Sequence, residues 1–338
     1  MIFIAGCATV RDPRELHGEG LGSTWSVKIA GDMPLDLPTV QRGIQAQIDK
    51  VTQQLSRWDS RSALSELNHS RDEHWQTLPD GLFAALSYAL SLAADTGGAY
   101  DPTVAPLVDV WGFGTQGRRY DPPSAEAINA AREHVGWAKL SLEPATHRAR
   151  RPNGVEIDLS SMTHGFGADQ VGAYLESVGI QRYLVDVGSE IRARGNSPDG
   201  HPWRVAIEQP PPEISATPSP QLSETGEKPT GNIRVLAPGN AGVATSGNYR
   251  YFFDYDGRRY SHRIDPRTGA PIEHPLAAVT VVSPETAHAD ALATALTVLG
   301  PDEGFDYARR HDIAALFIVR TDRGFKERMT PRFAEYLD

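Results

Sequence analysis

The chain reads as a mixed α/β protein on three observations. Several long stretches carry apolar residues at helical spacing. Several shorter runs are apolar throughout or alternate as strands do. The two patterns alternate along the chain, and a length of 338 residues allows one large domain or two lobes.

The elements follow in order. Residues 24–30, TWSVKIA, suit a short strand. Residues 39–56 place Val40, Ile44, Ile48, Val51 and Leu55 at helical spacing, with Thr39 after Pro38 as the N-cap. Residues 80–98, DGLFAALSYALSLAADTGG, predict a helix capped by Asp80 and stopped by Gly97 and Gly98. Ser124 to Gly136 predicts a third helix. GVEIDL (154–159) and RYLVDVG (182–188) predict buried strands around a helix at about 165–178. WRVAIE (203–208), YRYFFDY (249–255), RRYSHRID (258–265) and LAAVTVVS (276–283) predict strands. Helices are expected at about 284–299 and 302–311, then a strand over 313–320, IAALFIVR.

Composition narrows the class. The apolar share of 40% and charged share of 22% are those of a soluble globular chain. A formal net charge of −10 argues against non-specific nucleic-acid binding, which needs a basic face. No apolar run is long enough to span a bilayer. The single cysteine, Cys7, excludes an internal disulfide and a cysteine-rich metal site. Ile4-Ala5-Gly6-Cys7 resembles the lipobox of bacterial lipoproteins, although the charged n-region and full h-region are missing upstream. The competing reading is an apolar, disordered tail. From Gln209 to Gly231 the chain is rich in Pro, Ser, Thr and Glu and holds almost no large apolar residue. It cannot pack a core, and it lies between two strand-like runs, so it predicts a disordered insertion within the fold.

Four segments carry candidate chemistry. DLSSMTHGFGAD (158–169) lacks the Gly-Lys-Ser/Thr ending of a P-loop and the third glycine of a dinucleotide fingerprint. Gly165 and Gly167 at a strand-to-helix turn would still let backbone N–H groups approach an anion. The alternative is a tight turn in which Asp158 or a serine caps the next helix. Asp290 and Thr294 lie four apart and share a helix face, and both are hard oxygen donors suited to magnesium; such pairs are usually solvated. His262 precedes the turn Asp265-Pro266-Arg267-Thr268-Gly269, and histidine is the usual general base near neutrality. A lone histidine is more often structural. Thr245 and Ser246 beside Gly247 read as another polar turn.

Taken together, these segments resemble the ApbE family of flavin transferases. EGLGSTW (19–25), LSRWDSRSALSELN (55–68) and GAYDPTVAPLVDVWGFG (98–114) match its opening blocks. DLSSMTHGFGADQV, LVDVGSEIRARG, VATSGNYRYF, SHRIDPRTGAP and ADALATALTVLG follow in the family's order. The resemblance implies an α+β fold with mixed sheets in two interleaved lobes and FAD in the cleft between them. It implies a tether over 1–18 and one transferase domain over 19–338, carrying the insertion at 209–231.

The implied activity is magnesium-dependent transfer of the FMN moiety of FAD to a threonine or serine hydroxyl of an acceptor flavoprotein, releasing AMP. Acceptors would be subunits of Nqr- or Rnf-type redox complexes, or other exported flavoproteins. Export as a lipoprotein would place Cys7 as the lipidated residue, on the periplasmic side of the inner membrane. By resemblance, Ser161, Asp290 and Thr294 match the metal ligands. His262 matches the base that takes the acceptor proton, with Asp265 as its rival. Leu21, Trp58, Ala99, Tyr100, Asp101, Asp158, His164 and Ile264 match positions that contact FAD. His164 is a departure, since relatives carry lysine there and some glutamate, and Gly188-Ser189-Glu190 stands where Gly-Gly is frequent. Two alternatives remain: a pyrophosphatase that splits FAD into FMN and AMP, and a non-enzymatic flavin-binding lipoprotein. The second would not need Asp290, Thr294 and His262 together.

Overall fold

Eight strands build one sheet whose spatial order follows the chain: β1 (Arg14–Gly20), β2 (Ser23–Ile29), β3 (Tyr183–Val187), β4 (Glu190–Arg194), β5 (Gly242–Gly247), β6 (Leu276–Ser283), β7 (Ala314–Thr321) and β8 (Gly324–Met329). The computed structural model describes residues 13–31, 34–70, 73–210, 234–249 and 251–338. Among them every ladder is antiparallel, in this sheet and in the small hairpins around it. The α+β expectation holds, but the sheet is antiparallel where a mixed one was expected.

Turn chemistry sets two of these pairings. Leu21 and Gly22 alone connect β1 to β2, and both take positive φ, 55° and 73°. That is the turn whose twist matches a hairpin, and it needs φ > 0 at both central residues. Gly188 and Ser189 join β3 to β4 in the same way, at φ 63° and 82°. A non-glycine residue pays for positive φ, so Leu21 and Ser189 are held there by the ladders on either side.

The helices are α1 (Leu37–Leu55), α2 (Ala63–His69), α3 (Asp80–Asp95), α4 (Ala105–Val110), α5 (Ala125–Arg132), α6 (Ser160–Ser177), α7 (Thr286–Arg310) and the short α8 (Pro331–Ala334). Helix α1 buries Val40, Ile44, Ile48, Val51 and Leu55, the residues its periodicity named. The first three join Ala168, Val171 and Leu175 of α6 and Val27, Ile29, Val185 and Val187 of the sheet. Helix α7 lays Ala289, Ala293 and Leu296 on Val279, Val281 and Phe317. On its other side, Ala287, Ala291 and Ala295 meet Leu82, Leu86 and Ala89 of α3. Strand β6 is buried along its whole length. Val279 and Val281 pack under α7, while Ala278 and Val282 face a separate cluster with Phe333 and Leu236. Burial on both faces explains why its sequence is apolar apart from Thr280 and Ser283.

Several boundaries differ from the sequence reading. The N-cap of α1 is Asp36, whose carboxylate accepts from Thr39 N–H at 2.8 Å; Thr39 is inside the helix. Pro79, not Asp80, holds the N-cap position of α3. Residues 154–159 form no strand, and 249–255 and 258–265 shrink to Phe252–Tyr255, Arg258–Ser261 and Ile264–Asp265. Thr245 and Ser246 lie in β5, not in a turn. The two expected C-terminal helices are one element broken at Gly300, where φ is 85°, before Pro301. Strands β1 and β8 were missed because RELHGEG and GFKERM are polar sequences, as exposed edge strands often are. Most of the 209–231 insertion and the Cys7 lipobox fall outside the described residues.

The largest difference concerns DLSSMTHGFGAD. Helix α6 starts at Ser160, so Gly165 and Gly167 are not in a turn but one and two turns into the helix. A Cβ on Gly165 would sit 2.5 Å from the Thr286 carbonyl oxygen, and one on Gly167 would sit 2.8 Å from Leu21. Gly165 brings α6 against the backbone at the start of α7, and Gly167 brings it against Leu21 and Val187. Alanine is the better helix former by about 1 kcal/mol, yet here it has no room. We expect Gly165→Ala to destabilise the fold by about 1–3 kcal/mol. Thermal or denaturant unfolding checks this, and a stabilised variant would refute close packing at this point.

Candidate functional site

The sheet, α6, α7 and the 99–120 segment enclose a cavity of about 1390 Å³. That exceeds the roughly 300–1,000 Å³ of ordinary small-molecule pockets, leaving room for a dinucleotide and a second reactant. Leu21, Trp58, Ala99, Tyr100, Asp101 and Asp158 line it, with Ser161, His164, His262, Ile264, Asp290 and Thr294. Among the described residues the structure therefore brings together every site residue expected from the sequence except Asp265; Cys7 lies outside the described residues.

The oxygen donors come from facing helices. Ser161 lies one turn before Gly165 on α6, and the Gly165 N–H donates to Asp290 Oδ2 at 3.3 Å. Thr294 follows one turn after Asp290 on α7. Asp290 is 7% exposed, and burial drives its pKa up to about 7 against the opposing pull of the Gly165 N–H and Arg263. A carboxylate so stripped of water is stabilised by a cation. The Ser161 hydroxyl donates to the Tyr100 hydroxyl at 3.0 Å, which leaves its lone pairs available. Thr294 Oγ1 accepts from Arg263 Nη1 at 3.2 Å and shares a proton with Ser246 Oγ at 2.9 Å. It too can keep one lone pair. One carboxylate and two hydroxyls form a hard donor set that suits Mg²⁺ when substrate phosphate oxygens complete the shell. Among the described residues no cluster of three His, Cys, Asp or Glu side chains could hold a metal without such help.

One hydrogen bond orients the His262 ring, which also packs edge-on against Tyr251 and Phe113. Its Nδ1–H donates to the Tyr251 carbonyl at 2.9 Å, which puts the free lone pair on Nε2. Burial, and then the neighbouring Arg263 charge, drive its pKa down to about 3, while the Tyr251 bond works against them. The imidazole is neutral across the physiological range. Asp265 points its carboxylate elsewhere: Oδ1 accepts from the Arg267 N–H at 2.9 Å and Oδ2 from Arg267 Nη2 at 3.0 Å. It shapes the turn and does not line the cavity.

Trp58 is 67% exposed although it lines the cavity, so it is no core tryptophan but an open aromatic face. Tyr100 is buried and Ala99 packs with the α7 core. Asp101 spends its carboxylate on the local backbone, accepting from Thr103 N–H at 2.8 Å and Trp137 N–H at 2.9 Å. Asp158 Oδ1 accepts from Ser160 N–H at 2.8 Å at the start of α6. His164 Nε2 bonds the Leu21 carbonyl at 3.1 Å and its Nδ1 lies 3.8 Å from Glu190 Oε2. Burial lowers the His164 pKa despite the Leu21 bond, so a neutral ring braces the Leu21 turn.

The sequence reading missed a charged cluster beneath Trp58. The Arg57 side chain is 4% exposed and its guanidinium bonds Asp109, with Asp158 at 3.5 Å and Glu156 at 3.6 Å. Burial opposes its charge, but these three carboxylates outweigh it and raise its pKa. Asp109 Oδ1 in turn accepts from Thr115 N–H at 2.8 Å. The cluster ties the turn carrying Trp58 to the 112–115 loop and the head of α6. Ser-Arg-Trp-Asp gives no sign of it, because its partners lie 52 and 101 residues downstream. Because Trp58 is so exposed, Trp58→Ala should leave thermal stability unchanged; on the flavin contact that the resemblance implies, it should raise the Kd for FAD about tenfold, by loss of stacking. Flavin fluorescence titration checks this; unchanged affinity would remove Trp58 from the flavin site.

The ApbE family model matches residues 21–317. The chain is 36% identical to the FAD:protein FMN transferase of Vibrio cholerae, over 100% of this chain and 96% of that one. Among solved structures it resembles the apo form of the Pseudomonas stutzeri flavinyl transferase ApbE, with a TM-score of 0.84 and 38% identity over 96% of both chains. The flavin transferase ApbE of Vibrio cholerae superposes with a TM-score of 0.86 at 35% identity, over 96% of this chain and 99% of that one.

Proposed function

We infer the chemistry of the cavity from one premise: the chain belongs to the ApbE family and is an FAD:protein FMN transferase, moving FMN from FAD to an acceptor protein. The observation that carries the residue assignment is the convergence on one cavity of a buried carboxylate, two hydroxyls, a neutral histidine and an exposed tryptophan.

FAD lies in the cavity with its isoalloxazine against Trp58 and Leu21 and its diphosphate toward α6 and α7. Ile264, Ala99 and Tyr100 wall the site, and Asp101 and Asp158 hold the loop and helix start that shape it. Ser161, Asp290 and Thr294 would hold Mg²⁺, which when bound neutralises the diphosphate and eases departure of AMP. The acceptor's threonine or serine hydroxyl attacks the phosphorus on the flavin side. The new O–P bond forms as the P–O bond to AMP breaks, and AMP leaves with that electron pair. His262 Nε2 takes the hydroxyl proton. Water must be kept from the same phosphorus, and a docked acceptor would close the cavity's open side.

We assign the acceptor to an Nqr- or Rnf-type redox subunit and the location to the periplasmic face of the inner membrane, tethered through Cys7. The support is the lipobox-like Ile4-Ala5-Gly6-Cys7 and the family to which the chain belongs. The test mixes the protein with FAD, Mg²⁺ and such an acceptor domain. A mass gain of FMN on the acceptor with equimolar AMP is expected. Steady release of AMP and FMN without labelling would overturn transfer in favour of FAD hydrolysis.

A further inference from the structure

Beside His262, nearer the oxygen donors, lies a cation the reaction as described leaves idle. Arg263 lines the same cavity. Its Nη1 donates to Thr294 Oγ1 and its Nη2 to Ser246 Oγ, both at 3.2 Å. These two hydroxyls bond each other, so the guanidinium caps a closed triangle of neutral groups. Among the described residues no carboxylate lies within 4 Å of it, and its buried Nε–H has no acceptor. Asp290 and Glu190 act on it only at longer range.

Such a placement is costly unless something anionic arrives. A guanidinium partly withdrawn from water is normally paired with a carboxylate or phosphate, because neutral hydroxyls return only part of its hydration. Arg57 in this chain shows the ordinary solution, with three carboxylates around it. Arg263 differs in lacking a nearby anion while facing a cavity built for a diphosphate. Its planar fork matches two phosphate oxygens.

We propose that Arg263 is a further catalytic residue of the transfer: its guanidinium binds non-bridging oxygens of the FAD diphosphate and stabilises the charge that builds there as the P–O bond to AMP breaks. It neither gains nor loses a proton in that step. The bound diphosphate also offsets the positive field at His262, which makes Nε2 a stronger base only when substrate is present. This rests on the transferase reading of the cavity.

The test compares FAD with riboflavin, which has the same ring system and no phosphate, in EDTA, by fluorescence titration. In Arg263→Met the Kd for FAD should rise about tenfold or more, the scale of a lost charged hydrogen bond, while the Kd for riboflavin stays unchanged. Transfer should fall roughly 10²–10³-fold, as when a preorganised donor is removed. Arg263→Lys keeps the charge but loses the fork, so it should fall between the two, and it serves if the Met variant does not fold. Equal loss of FAD and riboflavin binding would make Arg263 structural and overturn the proposal. An unchanged FAD-to-riboflavin ratio in either folded variant would overturn it too. Failure of the transferase reading shows separately, as wild-type protein that binds FAD yet labels no acceptor.

Discussion

Asp290→Asn abolishes FMN transfer and, in metal-free buffer at pH 8, makes the protein more stable than the wild type. The two effects have one cause. Asp290 is a buried carboxyl whose pKa rises to about 7 in the fold, above its ordinary 3.8. Between these values the folded state holds a proton that the unfolded state has lost, so stability falls as pH rises through that window. Above pH 7 the full cost of a buried charge is present, on the order of a few kcal/mol. Asparagine removes the charge and can still accept from the Gly165 N–H at Oδ. It also removes the charged donor of the implied metal site, so no transfer remains. Thermal unfolding with EDTA, and again with Mg²⁺, checks both halves. Mg²⁺ should stabilise the wild type and leave Asp290→Asn unmoved. Retained turnover in the variant would dissolve the metal assignment.

His262→Ala lowers the rate of transfer by roughly 10²–10⁴-fold, the ordinary worth of a general base, with little change in the KM for FAD. The pH dependence separates a base from a structural ring. Because burial and Arg263 hold its pKa near 3 in the free protein, His262 is neutral from pH 5 to 8. The kcat/KM profile should therefore show no acid limb near 6.5, where an unperturbed histidine titrates. Nitrogen-15 NMR of labelled protein should find the Nδ1–H tautomer throughout. The same depressed pKa ties stability to pH in the opposite sense to Asp290. The unfolded chain takes up a proton at His262 below about 6.5, so this contribution is present above that value and is lost as pH falls toward 3. An imidazolium signal at pH 6 would rule out the neutral base.

The helices were legible where one face alone decides them. Helix α1 buries the five residues its periodicity selected, because an amphipathic stripe needs only its own sequence to be seen. The site was legible as a set of segments in order, and twelve of its expected residues do share one cavity. Their individual roles were less legible. Asp265 reads as a catalytic rival in Asp-Pro-Arg-Thr-Gly, but the Arg267 guanidinium two residues on claims its carboxylate. His164 reads, by resemblance, as an FAD contact; the fold adds that its ring bonds the Leu21 carbonyl across 143 residues of sequence.

By itself the sequence determined the apolar stripes, the turn residues, the hard oxygen donors and the family they compose, since these depend on residue type and local spacing. Only the tertiary structure decided that the glycines of DLSSMTHGFGAD are packing contacts, because a missing Cβ acquires meaning from the backbone of Thr286 pressed against it. It likewise decided which charges are paired. Arg57 and Arg263 are the same residue type in unremarkable settings, yet one meets three carboxylates and the other only hydroxyls. Electrostatic role is set by what lies within a few ångströms, and for both arginines those neighbours come from distant parts of the chain.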